Sequence, residues 1–495
     1  MKKTCTVIGG GTSGLMAGAL LSVSGFEVTV LEKNPSSGGG MQMFTRSGTT
    51  FETGMHVIAG HHGGLVGKLL GFLGIRDEIE IIDTDPDVAD SVYVVSEGRS
   101  YRIPYGKEAF IKYLSGEFPH EAANIRAYTE ELFHIYGSFP LIGASVPDER
   151  AVLGGTADEF IANYVKDERL RSLLGWLNMM SGTVAGRTPV YVHAVINALY
   201  ISGAGRLAGG PAALVKALCR IIRVNGGRVL NGEKVTGINV KDGFVASVST
   251  EKGGTWQSDS YLWACGVKEL AALAGKSCFS RFFIGRLAAA EDSFSAFSVF
   301  IKLKKETLEY VNHSLWWHSD MEAMWRGGNS SEESWPSSIL YMTPPSAGQG
   351  RWADRLIALV PMDFGLAGGW AGTCRRDRPV EYLSWKTDMT EKVLDCLEAV
   401  LPGIRGMAED ISSASPLTVR DWYGNSSGGI YGLSREVANV FGNGISPRTK
   451  LGNLFLAGQD LKLHGLCGAW ASALIAAAGI IGNDEIINDV LYERY

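Results

Sequence analysis

At 495 residues, with 45% hydrophobic and 20% charged side chains, the chain is globular and carries material for roughly two to four domains. A net charge of −6 and a pI near 5.9, with no Lys/Arg run, argue against a nucleic-acid partner, which would need a basic face. The seven cysteines (Cys5, Cys219, Cys265, Cys278, Cys374, Cys396, Cys467) include no C-x-x-C pair, so they point to buried thiols in a reducing compartment rather than to a zinc site or a disulfide framework.

Met1-Lys2-Lys3 leads directly into an apolar run, with no signal or transit pattern, and a cytoplasmic location is expected. Thr4 to Ile8 reads as a strand, Gly9-Gly10-Gly11-Thr12-Ser13-Gly14 as a phosphate-binding turn, and Ser13 to about Ser24 as a helix stopped at Gly25. Glu27 to Leu31 supplies a second strand that delivers Glu32 to a ribose hydroxyl. In this βαβ unit Gly9 permits the turn, Gly11 admits a pyrophosphate and Gly14 lets helix and strand pack closely. The helix N-terminus offers its unpaired N–H groups to the phosphates. The position of the unit at the very N-terminus favours FAD over NAD.

The glycine run Gly38-Gly39-Gly40 follows, where the backbone can again approach a ligand, and then Phe44 to His56 alternates. From about Gly64 to Tyr200 the spacing is mostly helical, interrupted by a hairpin, Val92 to Val95 and Ser100 to Ile103, turning at Glu97-Gly98. The pair His61-His62 has no carboxylate or cysteine at ligand spacing, so no metal is expected. Gly209-Gly210-Pro211 starts a helix through Arg223, and Val235 to Val240, Val245 to Thr250 and Thr255 to Asp259 read as an antiparallel meander. The apolar strand Tyr261 to Gly266 comes next. Between Ser277 and Leu417 lie seven of the twelve tryptophans, a density that suits either a core or an apolar ligand cavity. Asn453 to Asp460 is a further buried strand ending in a glycine turn and an acid. The uncharged stretch Leu466 to Gly482 is short of the roughly 20 apolar residues of a membrane span and reads as an internal helix.

Four blocks, Val7 to Glu32, Ser37 to Gly60, Leu207 to Gly266 and Leu454 to Ala478, resemble the FAD-dependent oxidoreductases of the phytoene desaturase type, and among them the retinol saturase and carotenoid isomerase branch. The resemblance implies an α/β fold: a Rossmann-like FAD-binding domain of the glutathione reductase type with a β-meander, and an interleaved α+β substrate domain. The FAD part would comprise residues 1–90, 201–285 and 418–495, and the substrate part 91–200 and 286–417. It further implies that Gly9, Gly11, Gly14, Glu32 and Lys33 hold the ADP end, that Gly39, Gly40 and Met41 lie along the pyrophosphate and flavin, and that Val235 meets the adenine through its backbone. Gly266, Gly458, Asp460 and Gly468 would complete the cofactor contacts, with Asp460 at the ribityl chain or phosphate and the Gly465 to Gly468 helix start facing the flavin O2 edge. Met41 stands where the family often has arginine, which leaves pyrophosphate charge to other groups such as Arg46.

The implied reaction is saturation, desaturation or isomerisation of carbon–carbon double bonds in a hydrophobic isoprenoid or polyene, with His56 and His464 as candidate catalytic groups at the flavin and NAD(P)H as one conceivable electron donor. A substrate of this kind implies peripheral bilayer contact, for which the apolar helix near Leu65 to Leu73 is the candidate. Two alternatives stay open at this level: an amine oxidase or protoporphyrinogen oxidase-like flavoprotein, and a non-catalytic FAD-binding protein.

Overall fold

The computed structural model describes residues 2–139, 141–142, 155–275, 278–328, 331–346, 348–438 and 445–494. A five-stranded parallel sheet runs in the spatial order Arg228–Asn231, Glu27–Glu32, Thr4–Ile8, Ser260–Trp263 and Leu454–Leu456. Strands from the beginning, middle and end of the chain are thus neighbours. All but the edge strand Arg228–Asn231 are buried along most of their length because helices cover them: Thr12–Val23, Ala212–Val224 and Gly465–Ile481 bury side chains of the first core on this sheet. Ser24 closes the first of these helices, and Gly25 follows with φ +88, the left-handed value expected of a helix-stopping glycine.

A mixed seven-stranded sheet forms the second layer. Its order is Ala408–Ala414, Ser295–Leu303, Arg355–Met362, Ser338–Met342, Ser314–His318, Asp90–Val94 and Arg99–Ile103. All pairings are antiparallel except that of Ser314–His318 with Asp90–Val94. The long helix Val380–Glu398 packs on it, and Trp317, Trp335 and Trp385 are buried between the two. Trp316 and Trp176 turn their indole N–H groups to the two oxygens of Asp90, at 2.7 and 3.3 Å. These tryptophans serve packing.

The meander is present as Val235–Lys241, Phe244–Thr250 and Thr255–Trp256, the last strand shorter than the sequence suggested. The alternating stretch after Gly40 is a hairpin, Met43–Arg46 with Thr49–Glu52. A third small sheet sets Ala204–Leu207 between Ile58–Ala59 and Ile81–Asp83.

The uncharged Gly465–Ile481 helix is interior, and among the described residues no helix is long and apolar enough to cross a membrane. The expected bilayer helix is corrected by the structure. Leu65, Val66, Leu69 and Leu70 of the helix Leu65–Phe72, and Leu73 after it, are buried in the main core, where the helix packs against Gly465–Ile481 and Glu485–Leu491. Its apolar stripe is a core stripe.

Candidate functional site

The three glycines of the opening motif meet different surroundings. A Cβ on Gly9 would lie 2.6 Å from Cys265 Sγ and 2.9 Å from the Ala264 carbonyl oxygen, and one on Gly14 would lie 1.9 Å from the Gly9 carbonyl oxygen. Both are demanded by the protein's own packing. Gly11 differs: its φ of −73 suits any residue, and the nearest atom to a Cβ there would be Gly39 Cα at 4.0 Å. Its bareness leaves room that no part of the chain takes up, while Gly38 N–H bonds the Gly10 carbonyl at 2.8 Å and draws the second glycine run alongside.

Gly11 precedes the Thr12–Val23 helix without any side-chain cap, so the first-turn N–H groups face this space as a ready anion site. A backbone cradle of this shape fits a pyrophosphate.

Glu32 leaves the second strand almost fully buried. Its Oε2 accepts from Gly10 N–H and its Oε1 from Asn34 N–H, each at 2.8 Å. Burial raises its pKa, and the two N–H groups and Lys33 pull the other way. Each oxygen retains a lone pair for a ribose hydroxyl. Gly232 N–H to the Asn34 carbonyl and Glu233 N–H to the Glu32 carbonyl bring the start of the meander, and Val235 with it, to the same corner.

Other expected contact residues also have partners within the chain. Lys33 Nζ donates to the Asp421 carbonyl at 3.0 Å and lies on Gly424, tying the strand end to the Pro416–Tyr423 helix. Met41 is buried in the main core. Arg46, considered as a phosphate partner, is exposed at the far tip of its hairpin, where the next residue, Ser47, bonds Asp410 and accepts from Lys302. Each oxygen of Asp460 accepts one main-chain N–H: Oδ1 from Leu433 at 2.9 Å and Oδ2 from Val267, the residue after Gly266, at 3.1 Å. Burial raises its pKa against these donors and the nearby Arg435. Gly458, at φ +133, donates its N–H to Ser472 Oγ at 2.8 Å and opens on free space. Gly468 is a packing glycine, since a Cβ would meet the Leu463 carbonyl oxygen at 2.1 Å. Trp470 Nε1 donates to Thr12 Oγ1 at 2.8 Å, which fastens the last long helix to the first.

His56 and His464 are both buried, and each keeps an Nε2 with no hydrogen-bond partner. Such orphaned atoms in a dry setting mark places where a ligand group is expected. His56 Nδ1 is 2.9 Å from Glu52 Oε2, so the carboxylate orients the ring. His464 caps the Gly465–Ile481 helix, packs 4.6 Å from the Tyr431 ring, and is pushed down to about 3 by burial with help from the Arg435 charge, which keeps it neutral.

Several residues here went unseen in the sequence. The hydroxyl of Tyr423 lies over Gly40 and Gly54, where a Cβ would come within 2.9 and 2.6 Å of it, and burial pushes this phenol up to about 12. Tyr431 bonds the Met179 carbonyl and lies near Tyr423 and Tyr200. Arg435, buried, donates to the Gln459 carbonyl at 2.6 Å and puts a positive charge beside Asp460 and His464. A single charged or phenolic residue carries no periodic signal, and only the fold brings Tyr423 over Gly40 and Gly54, Tyr431 to His464 and Arg435 to the turn after Gly458.

The model of the family described as flavin containing amine oxidoreductase matches residues 12–481. The all-trans-retinol 13,14-reductase of Rattus norvegicus is 25% identical over 97% of this chain and 86% of its own length. Prolycopene isomerase 2 of an Oncidium hybrid cultivar is 28% identical over 50% of this chain and 45% of its own. The structure of cyclohexylamine oxidase from Brevibacterium oxydans IH-35A superposes with a TM-score of 0.65 at 16% identity, covering 97% of this chain and 99% of that one, which shows a shared fold.

Proposed function

Because the chain belongs to the flavin-containing amine oxidoreductase family, and is on that ground a flavin-dependent oxidoreductase, we propose that it acts on carbon–carbon double bonds of a hydrophobic isoprenoid or polyene. The observation that carries this reading is the end-to-end similarity to a retinol reductase, which spans the substrate-side sheet as well as the cofactor blocks. The half-length similarity to a prolycopene isomerase points to the same class of substrate.

FAD, when bound, supplies the hydride or electron pair. Gly11, Gly39 and the Thr12 helix start hold its pyrophosphate, Glu32 its ribose, and the Gly465 helix start, with Arg435 and His464 beside it, the flavin end. Adding two hydrogens across a double bond takes a hydride and a proton, and a chain residue beside the flavin would hold that proton. His56 is suited to this role, since Glu52 fixes Nδ1 and leaves Nε2 free to carry a proton towards a carbon. His464 stays neutral and contributes a hydrogen bond rather than charge. In this reading the five-stranded sheet with its meander holds the cofactor and the seven-stranded sheet shapes the substrate side. The enzyme works in the cytoplasm, touches a lipid surface to take up substrate, and accepts electrons from a donor such as NAD(P)H.

Anaerobic mixing of the photoreduced protein with all-trans-retinol or a carotenoid tests the proposal. Reoxidation of the flavin together with a product two mass units heavier is expected, slowed by at least about a hundredfold in His56→Ala. An inert reduced flavin, with an oxidised form bleached by putrescine and reoxidised by oxygen, would replace this reading with an amine oxidase.

A further inference from the structure

We propose that His61, His62 and Asp83 form a site for a divalent transition-metal ion, zinc foremost, on the face of the small three-stranded sheet. The sequence offers no carboxylate near the histidine pair; the fold supplies one from 21 residues further along the chain. His61 Nε2 and His62 Nε2 stand 2.7 and 2.6 Å from the same oxygen, Asp83 Oδ1, and all three ligand atoms lie within 4.8 Å of one another. Two imidazoles and a carboxylate are a donor set that zinc takes with one position left for water.

The convergence is built by the backbone. Side chains of successive residues ordinarily diverge, but His61 and His62 sit between Gly60 at φ +75 and Gly63 at φ +66, and their rings lie 4.1 Å apart. Ile58 and Asp83 flank Gly205 on opposite sides of the central strand Ala204–Leu207. A Cβ on Gly205 would stand 3.2 Å from His61 Nε2, so the bare central strand is what lets the imidazole reach across to Asp83. The Asp83 main chain is held in turn by Asn312 Nδ2, which donates to its carbonyl at 2.6 Å.

One ligand is preset and two are accessible: the side chain of His61 is 5% exposed, those of His62 and Asp83 66% and 57%. Hydrogen bonds between exposed groups gain little over water, whereas a cation shared by three lone pairs would clip the loop after His56 to the Ile81–Asp83 strand. The present nitrogen–oxygen separations would open by about 0.6–0.9 Å to surround zinc at about 2.0–2.2 Å from each donor, a shift that the exposed His62 can make.

The test uses the whole flavoprotein stripped with a chelator and titrated with Co2+, read by visible ligand-field absorption, then with Zn2+ by calorimetry. One equivalent binding at about 10 µM or tighter is expected, weakened at least about tenfold in His62→Ala and in Asp83→Asn. Flavin content, read on the same samples, stays at its wild-type value because neither residue belongs to the cofactor cradle, so this inference and the functional proposal fail separately. His62 is on the surface, which keeps its variant informative if Asp83→Asn does not fold. Absence of binding below about 100 µM, or binding unchanged in His62→Ala, would leave a hydrogen-bonded trio without a metal role.

Discussion

Gly11 and Gly14 look alike in the motif and do different work in the molecule. A methyl on Gly14 has the Gly9 carbonyl 1.9 Å away, so Gly14→Ala must push helix from strand and should lower stability by about 1–3 kcal/mol or more, seen as a fall in melting temperature. Gly11→Ala meets only open space in the protein and should melt like the wild type while retaining at most about a tenth of the flavin affinity. The spacing made all three glycines legible, and the structure separates their reasons. Asp460 was legible as an acid after a strand, but not its engagement by Leu433 and Val267 N–H groups, because those partners come from two distant segments. Asp83 was hidden beside His61 and His62 for the same reason, since sequence distance says nothing about two strands that share Gly205.

Thr12–Val23 was readable from the glycine turn before it and Gly25 after it, and Ala212–Val224 and the first two strands of the meander from their spacing. Of the seven-stranded sheet only the hairpin Asp90–Val94 with Arg99–Ile103 was readable. Ser295–Leu303 and Ser338–Met342 are buried along nearly their whole length, so they carry no alternation to separate a strand from a buried helix. The Leu65–Phe72 helix shows the converse, an apolar face that sequence cannot assign to lipid or to core until its neighbours are known. The Gly465–Ile481 helix joins the chain's end to its beginning through Trp470 and Thr12. Trp470→Phe keeps most of the buried area but strands the Thr12 hydroxyl, and should lower unfolding free energy by about 1–2 kcal/mol in urea titrations at neutral pH, with flavin loss accelerated in the same samples.

Across the molecule, burial sets the response to acid. His193, His318 and His464 are held down to about 4, 3 and 3 from an ordinary 6.5, in each case chiefly by desolvation. Between about pH 6.5 and 4 the unfolded chain therefore takes up protons that the folded one refuses, and stability is lost as pH falls. Asp90 works the other way. Burial pushes it up to about 6 from 3.8, so the folded state keeps a proton that the unfolded chain sheds, and this contribution to stability is lost as pH rises through that window. His61 and His313 are lowered by burial together with these histidines, while Glu32, Glu269 and Asp460 are raised by burial together with Asp90, so the two classes of group oppose each other in this window. Relative to the wild type, urea midpoints should fall less steeply from pH 6.5 to 5 in His318→Gln and more steeply in Asp90→Asn; a His318→Gln profile parallel to the wild type would contradict a buried neutral imidazole.

In the proposed reading both ends of the chain close on one flavin, and the assignments of Gly11, Glu32, His56 and His464 depend on that closure. The decisive quantity is the amount of chromophore released from purified protein by denaturation. About one FAD per wild-type chain is expected, with a large loss in Gly11→Ala at unchanged folding. A colourless wild-type protein that takes up no added FAD, or a Gly11→Ala protein as yellow as its parent, would refute the shared flavin site.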